Sequence, residues 1–250
     1  MDKTGKINSQ DRALAVLDLF SEDRSLWTPD ELMRELGYSR PTLYRYLKSL
    51  KESGFLMSAR GGRFTLGPRV VEMDYLNRRA DPLVSAAAMH LARLTAEHPC
   101  TALIVRWYGD KILCVCSQSS APNPVSSYPR GRPMPMGRGA IGRSIMAFLP
   151  KQRLIPLIAR YADELRSVGV GTTQEEVMVT LKRIKRSGVA VAFGEVTPGA
   201  IGIAAPILDG NDPVASLCVT ISGQSASGEL IDRLRDNVRE TARSIASCNS

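Results

Sequence analysis

Three leucines in the first quarter of the chain constrain its fold more tightly than any other feature. Leu43, Leu47 and Leu50 recur at i, i+4 and i+7, which predicts a helix with one buried face and one free face. Ser39 stands at the expected start of that helix, and Gly54 follows its expected end. At about 100° per residue, the free face and its edges carry Pro41, Thr42, Tyr44, Arg45, Lys48 and Ser49.

A shorter helix is expected just before this one. Thr28 can cap it, with Pro29 at the first helical position and Glu31 at the third, which is the arrangement of a capping box. Gly37 suits the left-handed turn that ends a helix. The two helices and the short turn between them predict a helix-turn-helix.

A basic hairpin follows the second helix. Two short β-prone runs, 55–57 and 63–66, enclose a pair of glycines at 61–62, which predicts a β-hairpin. Helices and hairpin in this order predict a winged helix-turn-helix domain over residues 8–67. A helix-compatible segment at 68–80 is expected to link it to a second domain that begins at 81.

Positive charge is concentrated on the second helix and the hairpin. Residues 39–69 contain seven Lys or Arg and one Glu, whereas residues 7–35 contain three Arg and seven Asp or Glu. A solvated surface normally mixes both signs, so this segregation predicts a surface that faces DNA phosphates. The alternative is a structural or protein-binding helical domain with an accidental basic face. The candidate DNA-binding residues are Arg40, Pro41, Thr42, Tyr44, Arg45, Lys48, Ser49, Arg60 and Arg63.

These candidates have different expected roles on double-stranded DNA. We expect Arg45, with Thr42 and Tyr44 beside it, to approach base edges in the major groove. The cations expected to meet phosphates or the minor groove are Lys48, Arg60 and Arg63. One helix-turn-helix reads only a few base pairs, so a homodimer on a partly palindromic operator is expected.

The composition of the whole chain limits the kinds of protein to which it can belong. Its 250 residues allow two domains, and a net charge of +8 favours an acidic partner. The polar start and the lack of an apolar run near the length of about 20 residues needed to span a bilayer predict neither a signal peptide nor a membrane segment. The five cysteines are odd in number and sparse, which favours a reduced, cytoplasmic location.

The segment 81–250 predicts an antiparallel α+β domain, because its strand-like and helix-like runs lack a regular βαβ rhythm. Strands 101–107 and 111–117 are joined by a turn at 108–110, which predicts a hairpin. Further strands are expected at 189–193, 200–208 and 213–222, and helices at 82–98, 140–149, 151–163, 174–187 and 228–247.

A glycine-rich loop at 137–144 matches two nucleotide-binding patterns incompletely. It contains G-x-G-x-x-G, and also a P-loop pattern in which Arg143 replaces the lysine. Both patterns require a strand immediately before them, and the prolines of 129–136 cannot donate the hydrogen bonds of a strand ladder. An enzyme that binds a nucleotide or anion here is the alternative function. A helix that begins in this loop could instead hold a ligand's carboxylate at its free amides, or the loop could simply pack.

The strand at 213–222 has an apolar face and a mixed face. Small polar groups on an otherwise buried strand need hydrogen-bond partners, so the mixed face predicts either the floor of a ligand pocket or a half-solvated sheet surface. Its residues are Val214, Ser216, Cys218 and Thr220.

Catalytic and metal-binding patterns are not expected. His90 and His98 have no third ligand at a suitable spacing, and Cys114 and Cys116 have no second pair that would complete a zinc site. Neither an enzyme activity nor a cofactor or metal is therefore predicted.

Short motifs in the same order along residues 10–245 resemble the isocitrate lyase regulator (IclR) family of transcriptional regulators. In the first domain they are RALAVL at 12–17, TLYRYL at 42–47, GFL at 54–56 and FTLG at 64–67. In the second domain they are AIGR at 140–143, AFLP at 147–150, Leu181 with Ile184, GVA at 188–190, Glu195 with Gly199, IAAP at 203–206 and SG at 222–223.

The resemblance implies a ligand-responsive, sequence-specific transcriptional regulator, either repressor or activator. Its second domain would be a GAF/PAS-like effector-binding domain, and its dimers would often pair into tetramers. The effector, a small or aromatic carboxylic acid, would place its carboxylate on the amides of Ala140 and Ile141. Together with the glycine-rich helix start and the nearby methionines, the candidate effector-binding residues are Met134, Met136, Gly139, Ala140, Ile141, Gly202, Cys218 and Thr220.

Overall fold

The chain folds into two compact units, the first ending at Ala80 and the second beginning at Asp81. The computed structural model describes residues 9–121 and 128–248. In this part of the chain, no helix is both long enough and apolar enough to cross a membrane.

The first unit is a helix-turn-helix with a two-stranded wing. Its elements are α1 (Ser9–Leu17), α2 (Pro29–Leu36), α3 (Arg40–Glu52), β1 (Leu56–Ala59), β2 (Arg63–Leu66) and α4 (Pro68–Ala80). The three leucines of α3 are buried as their spacing predicts. They lie in one apolar core with Val16, Trp27, Leu32, Tyr46 and Leu56.

The capping box of α2 is confirmed. The backbone N–H of Glu31 donates to Thr28 Oγ1 (3.3 Å), and the N–H of Thr28 donates to Glu31 Oε2 (2.8 Å). Gly37 ends the helix in the left-handed conformation, with φ 66°. Ser39 also occupies the N-cap position of α3, but its hydroxyl donates to Thr42 Oγ1 (2.9 Å) and makes no capping hydrogen bond with the backbone.

The predicted hairpin is confirmed as β1 and β2, which pair antiparallel from Leu56 opposite Leu66 to Ala59 opposite Arg63. Trp27 adds a single bridge to Phe64 of the hairpin, through hydrogen bonds of 3.1 and 2.7 Å. The wing is therefore tied to the segment that precedes α2.

The second unit is a six-stranded sheet with helices on both faces. Its strands are β3 (Thr101–Trp107), β4 (Ile112–Ser119), β5 (Pro133–Met134), β6 (Ala190–Phe193), β7 (Ala200–Asp209) and β8 (Asp212–Ser222). Its helices are α5 (Pro82–Glu97), α6 (Gly139–Met146), α7 (Lys151–Arg160), α8 (Ala162–Ser167), α9 (Gln174–Ser187) and α10 (Gly228–Cys248). The strand order is β5-β4-β3-β8-β7-β6 and every pairing is antiparallel, which confirms the α+β class.

Each face of the sheet builds its own core. One core holds Leu217 and Val219 of β8 together with residues of α5 and α10. The other holds Cys218 of the same strand with residues of α6, α7 and α9. Side chains alternate between the faces of a strand, so β8 contributes to both cores at once.

Two details differ from the sequence-based expectations. The helix expected at 151–163 is two helices, because Tyr161 leaves the helical conformation (φ −107°, ψ 20°) between α7 and α8. A short strand, β5, does precede the glycine-rich loop and pairs with Ile112 and Leu113 of β4. Pro133 fits there because β5 is an edge strand, where a missing N–H donor is tolerated.

The glycine-rich loop crosses closely over the helix that follows it. A Cβ atom on Gly142 would lie 1.9 Å from the carbonyl oxygen of Met136. Only glycine allows this approach, which fixes the path of the chain into α6.

We expect Gly142→Ala to lower the free energy of unfolding by about 1–3 kcal/mol, the usual cost of overpacking. Gly228→Ala is the matched control, because a Cβ there meets no atom of the described chain within 4 Å. Thermal denaturation of both variants measures the difference. Equal stability of the two variants would contradict the close crossing.

Candidate DNA-binding surface and effector cavity

The outward face of α3 is free for a partner. Leu43, Tyr46, Leu47 and Leu50 bury the opposite face. Of the candidate residues on this helix, Thr42 is half-buried, and those that are exposed are Arg40, Pro41, Tyr44, Arg45, Lys48 and Ser49.

Two of the arginines on this face contact the aromatic rings of neighbouring tyrosines. The Arg45 guanidinium donates to the Tyr46 hydroxyl (3.3 Å) and lies 5.2 Å from the centre of that ring. Arg40 lies 5.5 Å from the centre of the Tyr44 ring. Lys48 Nζ lies 3.8 Å from Glu52 Oε1, but both side chains are well exposed and such a pair is weak. All three cations can therefore still turn to an anionic partner.

The wing presents the other two candidate cations. Arg60 and Arg63 are exposed on either side of Gly61 and Gly62, which have φ values of 74° and 70°. These left-handed conformations favour glycine and make the tight turn between β1 and β2. The first unit thus carries basic groups on both α3 and the wing, as the charge distribution predicts.

The second unit contains a cavity between the start of α6 and the strands β7 and β8. Its volume is about 40 Å³. Its walls are formed by Tyr128, Met134, Pro135, Arg138, Gly139, Ala140, Ile141, Ala192, Glu195, Val196, Thr197, Ala200, Gly202, Cys218 and Thr220.

The helix start at this cavity is partly occupied by the protein's own carboxylate. The N–H of Gly139 donates to Glu195 Oε2 (2.8 Å). Arg143 holds the same carboxylate at both oxygens, with distances of 2.9 Å to Oε2 and 2.7 Å to Oε1. Among the described residues, no group accepts a hydrogen bond from the amides of Ala140 or Ile141. These amides are the free donors expected in the first turn of a helix.

The cavity floor is uncharged. Burial raises the pKa of the Cys218 thiol to about 12, so the group stays neutral at physiological pH. Gly202 leaves room for about one methyl group beside it, because a Cβ there would make ordinary van der Waals contact with Ala140 Cβ (3.8 Å) and Cys218 Sγ (3.9 Å). Ser216, on the same face of β8, is not part of the cavity, since its hydroxyl lies 2.8 Å from that of Ser144. On the mixed face of β8, Ser216, Cys218 and Thr220 are therefore buried and Val214 is half-buried, and part of this face is a pocket floor.

The structure brings seven of the eight candidate effector residues to one cavity: Met134, Gly139, Ala140, Ile141, Gly202, Cys218 and Thr220. Met136 is the exception. Its side chain is 2% exposed and lies in the apolar core, because the loop passes directly over Gly142 at this point.

Sequence reasoning missed the wall formed by the loop between β6 and β7. Glu195 entered only as part of the family resemblance, and Val196 and Thr197 carried no signal at all. Arg143 is 52 positions away from Glu195, so no local spacing connects the two. Within the described residues, no group of three His, Cys, Asp or Glu side chains is placed to hold a metal ion.

Comparison with known protein families identifies the family to which this chain belongs. Residues 9–58 match the IclR helix-turn-helix domain, and residues 75–247 match the C-terminal domain of the bacterial transcriptional regulator IclR. The chain belongs to the IclR family of bacterial transcriptional regulators. It is a regulator with an N-terminal DNA-binding domain and a C-terminal effector-binding domain, and an enzyme built on loop 137–144 receives no support.

Similar proteins cover nearly the whole chain. The HTH-type transcriptional regulator KipR of Bacillus subtilis is 27% identical over 240 residues, 94% of each protein. An IclR regulator of Alicyclobacillus acidocaldarius has a similar structure, with a TM-score of 0.81, 22% identity and coverage of 98% of this chain and 100% of that one. An IclR homologue of Microbacterium hydrocarbonoxydans, solved in complex with 4-hydroxybenzoate, has a TM-score of 0.76, 21% identity and coverage of 97% and 99%.

Proposed function

We propose that this IclR regulator binds a partly palindromic operator as a homodimer, and that a small organic acid in the cavity of the second unit controls it. The free amides of Ala140 and Ile141 at the cavity wall are the observation that carries the effector assignment. A regulator that acts on bacterial DNA works in the cytoplasm.

The face of α3 supports the assignment of DNA contacts. Arg45 stands near the centre of the exposed face, beside Thr42 and Tyr44, where a recognition helix meets base edges. The cations proposed to meet phosphates or the minor groove are Lys48, Arg60 and Arg63. Arg40, Pro41 and Ser49 complete the proposed contact surface.

The start of α6 supports an anionic effector. Free N–H groups and the positive end of the helix dipole both favour a carboxylate at Ala140 and Ile141. Met134 offers an apolar, adaptable wall to the body of the ligand. The neutral Cys218 thiol adds no negative charge that would repel an acid. The bound 4-hydroxybenzoate of the Microbacterium homologue is a ligand of this class.

The size of the cavity limits what can bind without rearrangement. An engineered apolar cavity of about 150 Å³ binds benzene, whereas this one is about 40 Å³. An aromatic acid therefore requires one wall to move.

The exposed helix α4 supports a dimer. Apolar residues cover much of its surface, and the exposed ones are Val71, Met73, Tyr75 and Leu76. Large apolar side chains that are exposed together on one helix mark a protein contact. We propose that α4 packs against α4 of a second copy, and that such dimers pair further into tetramers.

Replacement of the central α3 arginine tests base recognition. We expect Arg45→Ala to lose about 1–3 kcal/mol of operator affinity and to relax sequence preference. We expect Lys48→Ala to weaken specific and non-specific binding alike, with a salt slope shallower by about one. Fluorescence anisotropy over a range of salt concentrations measures both effects. The control is Lys111→Ala, an exposed lysine of the second unit, which should change neither. Unchanged affinity and salt slope in Lys48→Ala would exclude its phosphate contact.

Two substitutions in the cavity test the effector site. Ala140→Pro removes one amide donor, and Cys218→Leu fills the space above the floor, so each should abolish acid binding. Operator affinity without ligand should survive in both, because the DNA-binding unit is separate. The control is Val219→Leu, which adds bulk to the opposite face of the same strand. Thermal-shift titration with small carboxylic and aromatic acids reports binding. Full acid binding by Cys218→Leu would place the site elsewhere.

Charge introduced on α4 tests the dimer. Met73 and Leu76 lie on one side of the helix. We expect the double substitution Met73→Glu and Leu76→Glu to halve the sedimenting mass at micromolar concentration and to weaken operator binding. Lys111→Glu, at an exposed position of the second unit, should leave the mass unchanged. A wild-type monomer with full operator affinity would contradict the proposal.

A further inference from the structure

Glu195 occupies a place in the cavity that suits a ligand's carboxylate. It accepts a hydrogen bond from the N–H of Gly139 (2.8 Å), the first residue of α6, next to the free amides of Ala140 and Ile141. The guanidinium of Arg143 donates hydrogen bonds to both oxygens of the Glu195 carboxylate. Arg143 and Glu195 side chains are only 5% and 14% exposed. The protein thus supplies its own anion to the helix start.

The loop that carries Glu195 forms one wall of the cavity. It runs from Gly194 to Gly199, which both have positive φ values (66° and 74°). Val196 presses on the helix start so closely that a Cβ on Gly139 would lie 2.8 Å from Val196 Cγ2. The Thr197 hydroxyl lies 3.2 Å from that of Tyr128 across the cavity. We call residues 194–199 the β6–β7 loop.

This loop can move more easily than the floor of the cavity. The floor belongs to β7 and β8, which are paired along their length, and Cys218 is 3% exposed. The β6–β7 loop instead has glycine at both ends, and Val196 is 38% exposed. Enlarging the cavity to hold an aromatic acid therefore disrupts less structure at this loop than at the floor.

We propose that Glu195 is a tethered competitor of the effector. Its carboxylate binds the Gly139 amide and Arg143 while the cavity is empty, and the effector carboxylate, bound beside them at the amides of Ala140 and Ile141, takes over these two contacts. When Glu195 is displaced, the β6–β7 loop moves away from the start of α6. This movement enlarges the cavity. This inference rests on the proposed function, in which the cavity binds an organic acid.

The exchange keeps the buried charges balanced. Arg143 is nearly fully buried, and a buried guanidinium without an anion is strongly unfavourable. A ligand carboxylate that takes the place of Glu195 leaves Arg143 paired, whereas a neutral ligand would not. Glu195 therefore selects for ligands that carry an anionic group, because only these can replace it.

Removal of the charge on Glu195 tests the competition. Isothermal titration of the full chain with 4-hydroxybenzoate should show about tenfold tighter binding to Glu195→Gln than to the wild type. This factor is expected if Glu195 is detached from Gly139 and Arg143 about one tenth of the time in the wild type. The matched control is Glu176→Gln. Glu176 also accepts from a loop amide, that of Thr172 (2.7 Å), but lies outside the cavity lining. Its removal should leave the affinity unchanged.

A second measurement uses the wild-type chain and does not depend on the variant folding. Hydrogen exchange of the Gly194 and Ala200 amides should become faster when 4-hydroxybenzoate is bound, because they close the β6–β7 loop by donating to Ala200 O (2.7 Å) and Thr197 O (3.1 Å), and the loop is released. The uncharged analogue 4-hydroxybenzyl alcohol should not produce this change. Slower exchange in the complex would show that Glu195 supports the ligand, and would overturn the inference.

The outcomes separate this inference from the proposed function. Acid binding that is lost in Cys218→Leu but is no tighter in Glu195→Gln would leave the effector site intact and refute the competition. Absence of acid binding in the wild type together with binding in Glu195→Gln would support it. No binding in either protein would reject the acid site, and the competition with it.

Discussion

The burial of β8 on both faces is the constraint on which the second unit depends. Leu217 and Val219 point into the core beneath α5 and α10, while Cys218 and Thr220 point toward α6 and the cavity. A slip of one residue would exchange these faces and place apolar side chains over the helix start. Pairing with β3 and β7 along almost the whole strand prevents this, with Cys218 opposite Leu103 on one side and Ala204 on the other. The cavity floor is thus fixed by the register of the sheet.

An ion pair at the start of α6 connects the helix above the cavity floor to the β6–β7 loop, the wall that can move. Arg143 is carried into the interior by the helix and needs an anion, which Glu195 supplies from the β6–β7 loop. The adjacent amides of Ala140 and Ile141 remain available at the cavity surface. Because the Cys218 thiol below them is neutral, an entering acid meets these free amides, with Glu195 as the opposing carboxylate. Ligand charge and loop position are coupled through this one ion pair.

Local patterns predicted the parts of the structure that depend on neighbours in sequence. The leucine spacing of α3, the Thr28 capping box and the hairpin at 101–117 are all confirmed, since periodicity and capping act within a few residues. Met136 lies in the core and outside the cavity lining, which only the crossing over Gly142 reveals. The contact of Glu195 with Arg143 joins elements 52 positions apart, and no spacing rule predicts it. The break at Tyr161 likewise has no proline or glycine to mark it.

The position of the ligand's acid group is the most direct test of this account. Amide resonances of the full chain can be followed by NMR during titration with 4-hydroxybenzoate. We expect the largest shifts at Gly139, Ala140 and Ile141, and much smaller shifts there with 4-hydroxybenzyl alcohol. The largest shifts at residues outside the cavity, or equal shifts with the uncharged alcohol, would contradict it.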